Sequence, residues 1–412
     1  MDLALTRGVG KITLCGRRRT RYMMAVPKPS PYAAQLAGSG IRAIMERARR
    51  APGPVVGLHI GEPGFPTPPH VGDAIAEAQA RGETGYAPSA GLPALRDAIR
   101  AKLASANDLA LRSERVVVTA GGTQALHLGL TVVLRPGDDV LVPDPGWPNA
   151  GGIVRLLAAR PRGYPLRKAN GFLPDVDELA RLVGPRTRAI LVNSPANPVA
   201  TVLDGPLLER LVRLAHERDL WILSDECYEA FTFDGPHVST ARADPDGRVL
   251  TCFSFSKTHG MTGLRVGYLV LPEVLAPLAV RAQEAMLACV GTPVQYGALA
   301  ALTGPQDHVD RARTAYLRRR DEALELLRAT AVPYAHPAGA YYLWLRVHTS
   351  DTTSFAVRLL DEQRVAVAPG RAFGDHGEGW VRLSLAAPAA DLVTGIERLV
   401  AFGAEAGSSR HA

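Results

Sequence analysis

A lysine set among serines, Ser254-Phe255-Ser256-Lys257, is followed by Gly263-Leu264-Arg265-Val266-Gly267. The apolar run Val249 to Phe253 reads as a buried strand, which puts Lys257 in a turn at that strand's carboxyl end. Burial and cationic neighbours lower a lysine's pKa and expose a nucleophilic amine, so Lys257 has the chemistry to form a Schiff base with an aldehyde cofactor. Ser254, Ser256 and Arg265 then remain to hold an anion beside it, and an arginine fork suits phosphate because it binds bidentately. Taken alone, Ser-x-Ser-Lys also fits a solvated loop lysine between cap serines.

Other stretches place polar or aromatic groups where an α/β sheet would present them. The apolar strand Val116 to Ala120 runs into Gly121-Gly122-Thr123-Gln124, which opens a helix through Leu134. A strand, a glycine turn and a helix start offer free backbone N–H groups to a phosphate at the positive end of a helix dipole, and Thr123 adds a hydroxyl. This is not the GxGxxG dinucleotide fingerprint, and glycine at such a turn also has purely steric uses. After the strand Val140–Pro143, Asp144-Pro145-Gly146-Trp147 supplies a flat ring suited either to stacking on a heteroaromatic or to filling a core. Ala189–Asn193 is another buried strand, ending in Asn193-Ser194-Pro195-Ala196-Asn197-Pro198. Trp221 to Ser224 leads to Asp225-Glu226-Cys227-Tyr228, at the carboxyl edge where α/β sheets bind ligands. Asp225 there is either a helix N-cap or a buried carboxylate that keeps a ring nitrogen protonated. Trp380-Val381-Arg382-Leu383-Ser384 is an apolar strand carrying one charge, which needs an ion-pair partner or a ligand of its own.

In this order, from about Pro29 to about Phe402, the pieces resemble the class I/II aminotransferases, pyridoxal phosphate enzymes of the fold-type I, aspartate-aminotransferase-like superfamily. Ser254-x-Ser256-Lys257 with Gly263 to Gly267 resembles the family's cofactor-lysine signature. Gly61-Glu62-Pro63-Gly64-Phe65-Pro66-Thr67-Pro68 resembles its GEPxFxTP loop. Asn193 to Pro198 resembles its NPxNPTG motif, with Val199-Ala200-Thr201 in place of the usual Thr-Gly. The resemblance implies pyridoxal 5′-phosphate held by Lys257 and no metal. It implies a phosphate cup of Gly122, Thr123, Gln124, Ser254, Ser256 and Arg265, with Trp147 on the face of the pyridine ring. Asp225 would hold the ring nitrogen, and Asn197 and Tyr228 the ring hydroxyl oxygen O3′. Gly61 would lie close to substrate and Arg382 would bind its α-carboxylate. Tyr86, in Tyr86-Ala87-Pro88, would reach across a homodimer to the neighbouring subunit's cofactor phosphate.

What the resemblance implies for chemistry is transamination. Lys257 carries a proton between the substrate α-carbon and the cofactor, Asp225 and Tyr228 assist, and the amino group of an L-amino acid passes through pyridoxamine phosphate to a 2-oxo acid. Lyases, cyclases and aminocyclopropane-carboxylate-synthase-like enzymes share these residues and remain the alternative. Regulatory sensor domains of the same fold carry a winged-helix module, for which the first ~50 residues are too short and unpatterned. A dicarboxylate donor needs a second cation; Arg42 and Arg371 are the candidates, and the absence of a clear second arginine points toward neutral or aromatic donors.

These residues need a scaffold, and the pattern supplies one. Alternating strand and helix units over 61–304 predict an α/β fold with a mostly parallel central sheet covered on both faces. Residues 27–60 and 305–402 form a smaller α+β domain, so chain order is not domain order. Its expected elements are a helix at Ile41–Arg49, a short strand at Val55–Ile60, a long helix at Val309–Arg328, and strands within 337–344, 365–370 and 380–384. A chain of 412 residues, 47% hydrophobic and 21% charged, has the material for such a core. The net charge of +7 comes largely from residues 1–25, where Arg7, Lys11, Arg17, Arg18, Arg19 and Arg21 face only Asp2. We read residues 1–26 as a disordered basic leader, with Met23 or Met24 as a possible true start, and 403–412 as a frayed tail. The four cysteines are scattered without disulfide spacing, which suits a reducing cytoplasm. No apolar run reaches the ~20 residues of a membrane span, and neither membrane nor nucleic acid is an expected partner.

Overall fold

The computed structural model describes residues 28–408 apart from Ala37 and Ala331. The basic leader therefore lies outside the described residues. Twelve strands order the chain: β1 (Val56–Gly57), β2 (Val116–Thr119), β3 (Asp139–Asp144), β4 (Arg160–Pro165), β5 (Thr187–Asn193), β6 (Trp221–Asp225), β7 (Val249–Ser254), β8 (Gly267–Val270), β9 (Tyr342–Arg346), β10 (Val365–Ala366), β11 (Ala368–Pro369) and β12 (Trp380–Ser384).

Seven of them form the central sheet, in the order β2-β8-β7-β6-β5-β3-β4. β4, β3, β5, β6 and β7 run parallel, while β8 is antiparallel to both of its neighbours. This is the expected mostly parallel α/β sheet. Its inner strands are continuous apolar runs because helices cover both faces; Leu141, Ile190, Val192, Ile222, Leu250 and Leu269 are all buried. The edge strand β4 instead carries Arg160, Pro161, Arg162 and Gly163, which discourage further pairing. In-register pairing sets Asn193 opposite Asp225 and Asp225 opposite Cys252, so the carboxyl ends of β5, β6 and β7 lie side by side.

The remaining strands belong to a second core. β11, β12 and β9 make an antiparallel sheet, and β1 pairs in parallel with β10. One apolar cluster unites Ile44 and Leu58 with Tyr316, Leu343, Val381, Leu392 and Phe402, so an early segment packs against the chain's last third. The long helix spans Asp307–Arg328 and packs on the helix Ala389–Ser408.

Several local readings change. The strand expected over Val55–Ile60 is only the two-residue β1, paired with the equally short β10, although Leu58 still donates to Ala366 O and accepts from the Ser384 N–H. The stretch expected to fray from residue 403 continues as helix to Ser408. Lys257 sits not in an open turn but in a single helical turn, Phe255–Thr258, capped by the Ser254 hydroxyl, which accepts from the Ser256 N–H at 3.2 Å. Of the strands expected at 337–344 and 365–370, the first begins only at Tyr342, and the second divides into β10 and β11 in different sheets.

Candidate active site

A cavity of about 260 Å³ opens at the carboxyl ends of β5, β6 and β7. Gly61, Gly122, Thr123, Trp147, Asn197, Asp225, Tyr228, Ser254, Ser256, Lys257, Arg265 and Arg382, drawn from across the whole chain, all line it. Two of the expected residues do not. Tyr86 is 92% exposed and away from the cavity of its own chain. Gln124 points its carboxamide elsewhere, accepting from the Ala120 N–H at 2.5 Å and donating to Gln283 Oε1 at 2.6 Å. Its side chain pins the start of the helix Gly122–Val133 and is not a cavity ligand.

One end of the cavity is lined by a helix start, two serines and Arg265. Gly121 has φ +80°, open to glycine at little cost, and caps the helix Gly122–Val133, whose first N–H groups face the cavity. A Cβ on Gly121 would meet Arg265 Nη2 at 2.4 Å. Arg265 itself is left-handed at φ +55°, a costly backbone for arginine. Its Nη1 donates to Thr262 O at 2.8 Å and its Nη2 to Ala120 O at 3.3 Å. No carboxylate pairs with it among the described residues.

At the opposite end lies Arg382, 2% exposed. Its Nη1 donates to Asn197 Oδ1 at 2.9 Å and its Nη2 to His59 O at 2.6 Å, while Nε has no partner among the described residues. The guanidinium carbon lies 4.3 Å from the ring centre of Tyr342 and 5.0 Å from that of Phe373. Among the described residues no acid neutralises it, so a structural ion pair does not explain this arginine. Burying a cation without an anion costs several kcal/mol, and the cavity is where the anion has room to bind.

Between the ends stand Lys257 and Asp225. Lys257 Nζ donates to Gly61 O at 2.7 Å, and burial holds its pKa below that of an ordinary lysine, Arg382 and Arg265 adding to the effect. Asp225 is buried, with the Cys227 N–H donating to Oδ1 at 3.2 Å. Burial pushes its carboxyl above the ordinary range, with hydrogen bonding from Cys227 opposing that push. No helix follows it, so the N-cap alternative falls away. Just past the end of β6, Glu226 is clamped by the hydroxyls of Ser224 and Ser239, the Thr240 N–H and His237 Nε2. Trp147 begins the helix Pro148–Leu156 and is half-buried, one side on the core and the other on the cavity.

The sequence reading missed three participants. Asn193 accepts from the Asn197 N–H at 2.8 Å and donates to Asp225 O at 3.0 Å, joining two expected ligands. Cys227 lines the cavity beside Asp225, and Tyr342 lines it with its hydroxyl 2.7 Å from that of Tyr228. An asparagine ending a strand was a signal for the first; Tyr342 read only as strand. Of the candidate extra cations, Arg371 pairs with Asp375 at 2.8 Å and Arg42 is exposed; neither lines the cavity.

The fold and this constellation define an α/β enzyme of aminotransferase type. Residues 53–399 match the family model for aminotransferase class I and II, and the chain belongs to that family. It is 37% identical over 361 residues to a probable aspartate/prephenate aminotransferase of Aquifex aeolicus, covering 84% of this chain and 90% of that one. It is 36% identical over 369 residues to aromatic-amino-acid aminotransferase 2 of Thermococcus litoralis, with coverage of 88% and 94%. Among solved structures, the aspartate aminotransferase of Thermus thermophilus with maleate superposes with a TM-score of 0.87 at 36% identity, over 92% of this chain and all of that one. The protein is an aminotransferase. No helix among the described residues is long and apolar enough to cross a membrane.

Proposed function

We propose that this enzyme binds pyridoxal 5′-phosphate through Lys257 and moves the amino group of an L-amino acid to a 2-oxo acid. The observation that carries this reading is that Lys257, Asp225 and Arg382 line one buried cavity and none has a salt-bridge partner among the described residues. The residues fit the cofactor. The cup around Gly121 is kept open by the missing Cβ, Arg265 is free of acids, and Asp225 awaits a cation.

When bound, the cofactor supplies an aldehyde for Lys257 and a ring that accepts the electrons of the breaking C–H bond. Ser254, Ser256, Thr123, Arg265 and the N–H groups at Gly122 would hold its phosphate. Asp225 would keep the ring nitrogen protonated, and the buried site strengthens that pairing. Asn197 and Tyr228 would bond the ring oxygen, with Trp147 on the ring face. Arg382 would fix the donor's α-carboxylate and so orient its Cα–H bond toward Lys257. Once the donor's amine has replaced it on the aldehyde carbon, Lys257 Nζ, deprotonated more readily than an exposed lysine, would take the donor's Cα proton and deliver it to that aldehyde-derived carbon. Once Lys257 and Arg265 are assigned, Arg382 is the one cation left among the described lining residues. This chain's own cavity therefore provides for a single carboxylate, and a dicarboxylic donor would draw its second cation from another subunit.

We infer further that two copies associate with active sites at their interface. The exposed Tyr86 and the uncovered Leu278, Met286 and Leu287 on the helix Ala276–Leu287 support this. Mixing Tyr86→Phe with Lys257→Ala chains tests it: shared sites give hybrid dimers in which one site regains both residues.

The function itself is tested by a single half-reaction. An accepted amino acid, added without any 2-oxo acid, should bleach the bound cofactor and yield one 2-oxo acid per site. Adding 2-oxoglutarate or pyruvate should restore the colour. Continuous product formation with the colour intact would instead establish a lyase or cyclase.

A further inference from the structure

We propose that Tyr342 is a positioning residue that couples occupancy of Arg382 to the hydrogen-bonding strength of Tyr228, a role that rests on the aminotransferase reading above. Tyr342 is 1% exposed, begins β9, and touches both groups at once. Its hydroxyl lies 2.7 Å from the Tyr228 hydroxyl, and its ring centre lies 4.3 Å from the Arg382 guanidinium carbon. β9 and β12 explain the placement. Tyr342 pairs with Ser384, and Arg382 is two residues along on the same face of the sheet.

Proton counting fixes the direction of the phenol contact. Each hydroxyl has one proton. If Tyr228 donates to the cofactor's ring oxygen, its own oxygen is left to accept, so Tyr342 is the donor at 2.7 Å. A donor behind Tyr228 polarises its O–H bond and strengthens the bond it makes in turn. Arg382 works in the same sense. A cation over the ring face draws electron density from the phenol and makes its proton a better donor. Burial pushes the Tyr342 phenol up, and Arg382 is the largest influence drawing it back.

The other titratable groups facing Tyr342 are Tyr228, Tyr341 and Cys227. Burial pushes all three well above their ordinary values, so they remain neutral. Tyr341 is in addition committed to Gly61 O at 3.1 Å. Arg382 is thus the strongest charge acting on Tyr342. A substrate carboxylate on Arg382 cancels that charge, weakens Tyr342 as a donor, and weakens Tyr228 after it. By linkage, filling the carboxylate site raises the proton affinity of the cofactor group that Tyr228 serves.

The test uses the holoenzyme and reads colour rather than turnover. The pH midpoint of the cofactor's visible band is measured with and without saturating hydrocinnamate, a carboxylate that has no amino group to react. Wild type should show a higher midpoint with hydrocinnamate. Tyr342→Phe removes one oxygen and keeps the ring under Arg382. Its free midpoint should rise by about half a unit, and its response to hydrocinnamate should fall by about half. Adding Tyr342→Phe to Tyr228→Phe should change neither value further, because the effect passes through Tyr228. Tyr164→Phe, which deletes a buried phenol bonded to Leu191 O at 2.9 Å outside the site, should match wild type. A Tyr342→Phe protein with wild-type midpoint and response overturns the coupling, as does an effect of full size in the Tyr228→Phe background. A wild type that takes up no cofactor overturns the functional reading instead.

Discussion

The two ends of the cavity both receive anions in the proposed function, yet they are assembled differently. The phosphate end is local, combining the N–H groups of a helix start with side chains from two turns. Gly121, Gly122 and Thr123 come from one strand–helix turn, and Ser254, Ser256 and Arg265 from another. Arg265 is exposed, held by carbonyls at 2.8 and 3.3 Å. The carboxylate end is assembled at long range and is side-chain-based. Arg382 reaches Asn197 and His59 O from far along the chain and is wedged between Tyr342 and Phe373. A resident group can be gripped by a rigid cup of N–H donors, whereas a substrate that comes and goes is met by one dry cation awaiting its counter-charge. The first arrangement serves retention and the second serves exchange.

This contrast can be broken by mutation. The largest effect belongs to Lys257, which stands between the ends. Lys257→Ala should slow the half-reaction by about 10³–10⁴-fold, read as the bleaching rate of the bound cofactor. Next, Arg382→Lys keeps the charge but loses the fork. We expect kcat/KM to fall about 10²-fold, mostly through KM, with cofactor affinity within about twofold of wild type. Loss of cofactor from this variant would mean that the two ends are not separable. Arg265→Gln should do the reverse, weakening the cofactor by about 10-fold to 100-fold while KM for the amino donor at saturating cofactor stays unchanged. Smallest is Gly121→Ala. It combines a left-handed φ of +80° with a 2.4 Å approach to Arg265 Nη2. A loss of about 1 kcal/mol in stability and a weaker hold on the cofactor should follow, read by thermal melting and by fluorescence titration. A Gly121→Ala protein as stable as wild type would show that the cup is softer than its geometry indicates.

The same division governs what the sequence disclosed. The central sheet was legible because its strands are apolar runs punctuated by Gly and Pro, and the phosphate end because its ligands are neighbours in sequence. Lys257, Asp225 and Arg382 stood out as charges at apolar strand ends or within a strand. Gln124 misled, since a residue at a helix start reads as a ligand whether its side chain faces out or, as here, turns back to Ala120 and Gln283. Tyr342 and Asn193 were missed because their value lies in partners far along the chain. Only the pairing of β9 with β12 places Tyr342 beside Arg382, and nothing local encodes that register. The extent of β1 escaped for a related reason, its partner β10 lying near the other end of the chain.

That last pairing sets a timetable for synthesis. Val56 bonds Arg364 O and Leu58 bonds Ala366 O, so the early strand has no mate until almost the whole chain has been made. The central sheet, by contrast, is complete once Val270 has left the ribosome. Emerging in that order, the sheet can close first while residues 40–60 wait unpaired beside it, and contacts of such sequence separation are slow to form. His59, whose carbonyl receives Arg382, is on the waiting segment. The residues around Gly121, Ser254 and Arg265 are thus all made before Arg382, and the arginine's end of the cavity is complete only once β12 has joined β9 and His59.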